Sequence, residues 1–181
     1  MCEHNSGKTC SFDVCSNCKL SCCVDANPPL TTQREKTIEN YLKNEKISFK
    51  RPFVREEYSH PASDADGVCV FFSKKTGECI VHAVKPETCK AGPVTFDINL
   101  TTRKIEWFLK KVSICRFAPK LREKQVQFSE HFEVAKEEIT RLICNLETEE
   151  LLAILKISEP ETIKIGENEL PRAIIHKLRI T

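Results

Sequence analysis

Glycine is scarce in this chain, with 5 among 181 residues. A Walker loop or a G-x-G-x-x-G turn needs several glycines within a few positions, so the familiar cradles for nucleotides and methyl donors are excluded. Charge of one sign is lacking too: 28 Lys and Arg against 26 Asp and Glu leave a net +2. No global field therefore commits the chain to nucleic acid or to a membrane. No apolar run approaches the roughly 18 residues needed to span a bilayer. Met1 to Ser11 is polar where a secretory signal would be apolar. Together these absences lead us to expect a cytoplasmic protein. The C-x3-C-x2-C order of radical chemistry is missing, and no Ser, His and Asp arrangement stands out. The sequence thus leans away from an enzyme acting alone, and no catalytic residue is assigned.

Cysteine, by contrast, is abundant, with 11 residues. Cys2, Cys10, Cys15, Cys18, Cys22 and Cys23 precede residue 24; Cys69, Cys79, Cys89 and Cys115 follow at wider spacing, and Cys144 stands apart. Thiols stay reduced in the cytosol, where such a pattern reads as metal-binding or redox-active. An odd count also leaves at least one thiol outside any closed disulfide set. The densest motif is Cys15-x2-Cys18-x3-Cys22-Cys23. A tight loop can aim several sulfurs at one point, and closing it costs little chain entropy. Thiolate is a soft ligand that selects zinc, copper(I) or iron–sulfur clusters.

The rest of the chain reads as α+β. Asp25-Ala26-Asn27-Pro28-Pro29 is a turn that closes the first cysteine cluster. Thr32 and Glu35 fit a capping box, and Ile38, Tyr41 and Leu42 recur at helical spacing, which predicts a helix over 33–45. Residues 46–66 read as loop or edge strand. Val68–Phe72 and Cys79–Val81 flank Lys75-Thr76-Gly77 as a short hairpin. Val94, Phe96, Ile98 and Leu100 alternate, as do Ile105, Trp107 and Leu109, predicting a second hairpin with one buried face. Leu121, Phe128, Phe132, Ala135, Ile139, Leu142 and Leu146 form one stripe of a long helix. A short helix at Leu151–Leu155 and a last one after Leu170-Pro171 complete the expectation. The predicted organisation is a small cysteine-rich metal-binding domain over 1–120, with short antiparallel hairpins, and a helical region over 121–181 packed on it as one compact unit.

The motif Cys15-x2-Cys18-x3-Cys22-Cys23, the capped helix behind it, and Cys69-x9-Cys79-x5-Lys85-Pro86-x2-Cys89 resemble the CxxCxxCC family, also called YkgJ-like. The resemblance covers about residues 15–95 and implies a domain that binds zinc or iron. Two departures stand out: three residues, where two are commoner, precede the cysteine pair, and Lys85 stands where relatives often carry arginine. Lysine cannot make arginine's bidentate anion contact. One member of the family methylates lysine in flagellin, so a protein-modifying enzyme is an alternative that the resemblance brings with it.

By match to the motif, Cys15, Cys18, Cys22, Cys23, Cys69, Cys79 and Cys89 are the candidate ligands, and Cys115, just after the second hairpin, is the natural eighth. Tetrahedral sulfur sites suit both zinc and iron–sulfur clusters. The crowding over residues 15–23 favours an iron–sulfur cluster over zinc. His60 and His82 lie near the cysteine segments, where thiols already suffice, and Cys144 falls off the apolar stripe as an exposed thiol. Residues 103–124 hold eight Lys or Arg against two Glu, and residues 133–170 ten Glu against four Lys or Arg. Such a basic run is usually a solvated face, so nucleic acid is disfavoured; the opposed charges point to attraction between the halves or to an acidic partner protein. The expected role is an accessory or electron-transfer partner of an enzyme, with a zinc-stabilised adaptor as a further alternative.

Overall fold

The computed structural model describes residues 22–157 and 161–179. Its first helix, α1 (Thr32–Asn44), starts where Thr31 takes an extended backbone and its hydroxyl accepts the Arg34 N–H at 3.1 Å. The cap is thus Thr31 and not Thr32, because Thr32 already has helical geometry. Glu35 turns inward and takes Arg55 at 2.9 and 3.0 Å. Ile38 and Leu42, four residues apart on one face, are buried.

Residues 46–66 contain a short antiparallel pair, β1 (Phe53–Arg55) and β2 (Ser59–Pro61). The next hairpin, β3 (Phe72–Ser73) and β4 (Glu78–Cys79), is shorter than the sequence predicts. Val68 and Cys69, which the pattern assigns to its first arm, bridge instead to Val24 and Ser63. Gly77 supplies the positive φ of 75° that the turn requires. Ile38, Leu42, Phe71 and Val81 form a small core. Phe49 and Phe53 meet Phe71 edge-on, at 5.4 and 5.7 Å between ring centres. A 3-10 turn at His82–Val84 leads to α2 (Glu87–Ala91).

The second hairpin forms as expected, from β5 (Val94–Asn99) and β6 (Lys104–Lys110), with Phe96 opposite Trp107 and Ile98 opposite Ile105. Ile105, Trp107 and Leu109 are buried, whereas Leu100 lies exposed beyond the end of β5. A third strand, β7 (Thr162–Glu169), pairs with the other edge of β6, giving the order β5-β6-β7. Its register shifts opposite Trp107 and Phe108, where Gly166 and Lys164 are the partners and Ile165 is the extra residue. The basic hairpin here meets acidic chain: Lys104 pairs with Glu167, and Lys111 with Glu161 at 3.2 Å.

The predicted long helix is two helices, α3 (Phe117–Glu123) and α4 (Gln125–Asn145). Lys124, with ψ of 79°, leaves helical geometry between them. Leu121 therefore belongs to α3, and Ala135, Ile139 and Leu142 on α4 face the sheet core. Phe132 meets Trp107 edge-on at 5.9 Å. A capping box between Glu147 and Glu150 opens α5 (Thr148–Ile154), and α6 (Arg172–Lys177) buries Ile174 in the same core. Among the described residues, no helix is long and apolar enough to cross a membrane. The mixture of helices with small antiparallel sheets is α+β, as read from the sequence.

Helix α2 joins the two cores and packs on α4. A buried ionic network fixes it there. Glu138 on α4 takes Arg34 at 2.5 Å, Lys90 at 2.7 Å and Arg141 at 3.0 Å. Glu87, fully buried, accepts the Thr31 hydroxyl at 2.7 Å and lies 3.6 Å from the Arg34 Nε. Removing one member of such a buried set leaves the others charged and unpaired. Glu138→Ala is expected to destabilise the protein by about 3–5 kcal/mol in urea unfolding, whereas Glu161→Gln, at a solvated pair, should leave the midpoint unchanged.

Candidate metal centre

The cysteine segments meet through backbone. Cys22 and Cys23 occupy a turn, the Cys69 amide donates to the Cys23 carbonyl at 2.8 Å, and Val24 bridges Val68. The Asp25 amide donates to the Gly67 carbonyl at 2.9 Å. Gly67 has φ of 74°, and a Cβ there would collide with Asp25 Oδ1. Only glycine fits that crossing without strain. Cys69, just before β3, and Cys79, at the end of β4, then pack against the Phe71 core. Cys89 comes from the middle of α2, which Pro86 opens and the Glu87 and Glu138 network holds.

Cys22, Cys69, Cys79 and Cys89 lie within electrostatic reach of one another. Each of Cys69, Cys79 and Cys89 feels Cys22 as a like charge. Burial pushes all three thiols up, Cys69 to about 11. Cys22 differs in direction. A hydrogen bond with Cys23 lowers it to about 6 against the opposing effect of burial, helped by Lys110 and Lys85. Lys85 also acts on Cys79 and Cys89. The centre thus combines one thiolate, three thiols held neutral by burial, and two nearby ammonium groups.

Among the described residues no cysteine is joined in a disulfide. None of their Cys, His, Asp and Glu side chains stand in threes at a spacing that could already hold an ion. Cys15 and Cys18 lie outside the described residues. Cys115 packs against the helix–sheet core, with its amide on the Lys111 carbonyl at 2.8 Å. Cys144 is exposed on α4. The His60 ring is buried, with Nδ1 2.9 Å from the Pro61 carbonyl. His82 is exposed, and its partial burial together with Lys85 lowers its pKa. The donor set itself fits a soft metal: thiols of separate stretches share one region, and metal binding would displace the protons that burial retains.

Comparison with known proteins bears on this arrangement. A family model described as a "putative zinc- or iron-chelating domain" matches residues 14–145. The chain belongs to the CxxCxxCC family. The match runs beyond the cysteine motifs through α4, so the helix that seats α2 is part of the family's domain. An uncharacterized protein of Methanocaldococcus jannaschii is 30% identical over 114 residues, covering 57% of this chain and 62% of that protein. The chain therefore spans less than two thirds of that relative's length. No solved structure matches.

Sequence reasoning missed Lys110 and Gly67. Lys110 ends β6 far from any cysteine motif, and only the sheet brings it to Cys22. Gly67 carried a signal in being one of five glycines, placed two residues before Cys69.

Three outcomes follow from the thiol electrostatics and the Gly67 crossing. In metal-free protein at pH 7, iodoacetamide should label Cys22 ahead of Cys69, Cys79 and Cys89, as read by peptide mass mapping. The folded-state pKa of Cys69 is raised from 9.0 to about 11. Its contribution to stability is therefore present below pH 9 and is lost as pH climbs through 11, so the metal-free melting temperature should fall across that window. Gly67→Ala forces a side chain into left-handed backbone at about 1–2 kcal/mol and displaces Asp25. Alkylation of Cys69 in that variant should become faster.

Proposed function

We propose that the chain holds an iron–sulfur cluster, with zinc as the alternative, on thiolates drawn from Cys15, Cys18, Cys22, Cys23, Cys69, Cys79, Cys89 and Cys115. It serves an enzyme as accessory or electron-transfer partner in a reducing compartment, the cytoplasm. The observation that carries the reading is the approach of Cys22 to Cys69, Cys79 and Cys89, from stretches far apart in sequence, beside Lys85 and Lys110. When bound, a cluster supplies one-electron transfer and zinc supplies a structural link.

The chain's own residues do the rest. The Cys69–Cys23 bond brings the arms together, α2 presents Cys89, and the two lysines offset thiolate charge. The reading of a protein partner over nucleic acid is supported by Lys104 and Lys111, which are engaged by Glu167 and Glu161 within the fold. Exposed Arg116, Lys120, Arg122 and Lys124 remain for an acidic protein surface.

Anaerobic purification followed by metal and acid-labile sulfide analysis tests the reading. Brown protein with sulfide and a broad visible band is the expected result. Colourless protein with stoichiometric zinc would move the conclusion to the adaptor, and protein that takes up neither metal would overturn it. Cys89→Ser should lose most of the bound metal, whereas Cys144→Ser should retain it.

A further inference from the structure

The chain around α3 carries charge that the fold does not use. From Lys110 to Val126 it holds six Lys or Arg against one carboxylate, Glu123. Lys111 is engaged by Glu161. Arg116, Lys120, Arg122 and Lys124 are exposed, and among the described residues no carboxylate pairs with them. Large apolar side chains stand among these cations: Val112 and Ile114 before α3, 59% and 37% exposed, and Val126 after it, 74% exposed. A tight turn holds the first two outward. The Ile114 and Cys115 amides both donate to the Lys111 carbonyl, at 3.0 and 2.8 Å, while Cys115 packs inward on the core. Apolar side chains fixed in water, with cations around them, have the make-up of a protein interface, apolar at its centre and charged at its rim.

The same residues separate the occupants. A bilayer would need an apolar helix face, and the apolar side chains of α3, Ala118 and Leu121, are buried in the protein. A phosphate backbone would engage the cations and leave Val112 and Ile114 in water. A protein with carboxylates around an apolar centre satisfies both. Lys110, which opens the run, has its field on Cys22, so the surface adjoins the metal centre.

We propose that Val112 and Ile114, rimmed by Arg116, Lys120, Arg122 and Lys124, form the docking surface for an acidic electron-transfer protein. The inference rests on the electron-transfer reading above.

Flavodoxin, an acidic one-electron carrier, is the probe, with a net-neutral viologen as reference donor to the metal-loaded protein under anaerobic conditions. Calorimetry reads binding, and stopped flow reads the one electron passed from each reduced donor to the oxidised centre. The double variant Lys120→Glu/Arg122→Glu should bind flavodoxin about 10-fold more weakly at low salt, and added salt should narrow that gap. Val112→Ser should weaken binding about 10-fold at low and high salt alike. Neither change should alter the rate with the viologen. Unchanged flavodoxin binding in both variants overturns this inference alone, as does a wild type that accepts electrons from the viologen without binding flavodoxin. Wild type that ignores flavodoxin and binds phosphatidylglycerol vesicles, with that binding lost on charge reversal, assigns the surface to lipid and also overturns it. A wild type that accepts no electron from the viologen overturns the electron-transfer reading and this inference with it.

Discussion

The amide of Cys69 donates to the carbonyl of Cys23 at 2.8 Å, and the meeting of the two cysteine-bearing arms depends on that bond. The intervening chain is occupied by α1 and one small strand pair, β1 and β2. Loop-closure entropy grows slowly with length, so a few well-placed bonds suffice to hold a long excursion closed. The Val24–Val68 bridge and the Asp25–Gly67 bond continue the contact in one direction, to a crossing that glycine alone permits without strain. The crossing makes no use of thiol chemistry. Backbone therefore sets the approach of the sulfurs, and a metal would complete it.

The second constraint is α2, too short to be stable by itself. It is held because its charged residues enter a network closed by Glu138 and Arg34, with Ala91 buried against the helix–sheet core. Cys89 consequently belongs to the larger core mechanically, whereas Cys69 and Cys79 belong to the smaller one. A ligand on all of them would link the two cores. His131 shows how tightly the seam is built: its ring, buried on α4, lies 2.9 Å from the Ala91 carbonyl at the end of α2.

What could be read from the sequence was what depends on near neighbours. Cysteine spacing, the β5–β6 alternation and the apolar stripe of α4 are periodic signals, and each gave an element close to the observed one. The errors share a cause. Lys124 interrupts a helix without disturbing the seven-residue step from Leu121 to Phe128, so periodicity passes over the break. β7 has no strand signal in the sequence, because the polar run Thr162–Glu169 is largely exposed and contains a bulge at Ile165, so the alternation is lost. Thr31 and Thr32 are chemically equal caps, and only backbone geometry separates them. In the site, the thiols could be named from spacing, but neither the shared reach of Cys22 and Cys89 nor the field of Lys110 has any local signature.

The charge of the centre carries the argument one step further. Four thiolates would bring four negative charges, and a zinc ion or an oxidised four-iron cluster would return two of them. Lys85 and Lys110 are the cations whose fields reach Cys22, so such an assembly would come close to neutrality. A neutral centre tolerates partial burial, which a bare tetrathiolate does not. On a cluster held there, an added electron would leave a charge that these lysines oppose, an effect that would raise the potential. Lysine at position 85 is consistent with this role: a compact point charge serves a sulfur cage from a distance, where the planar fork of arginine would seek a carboxylate or phosphate to grip.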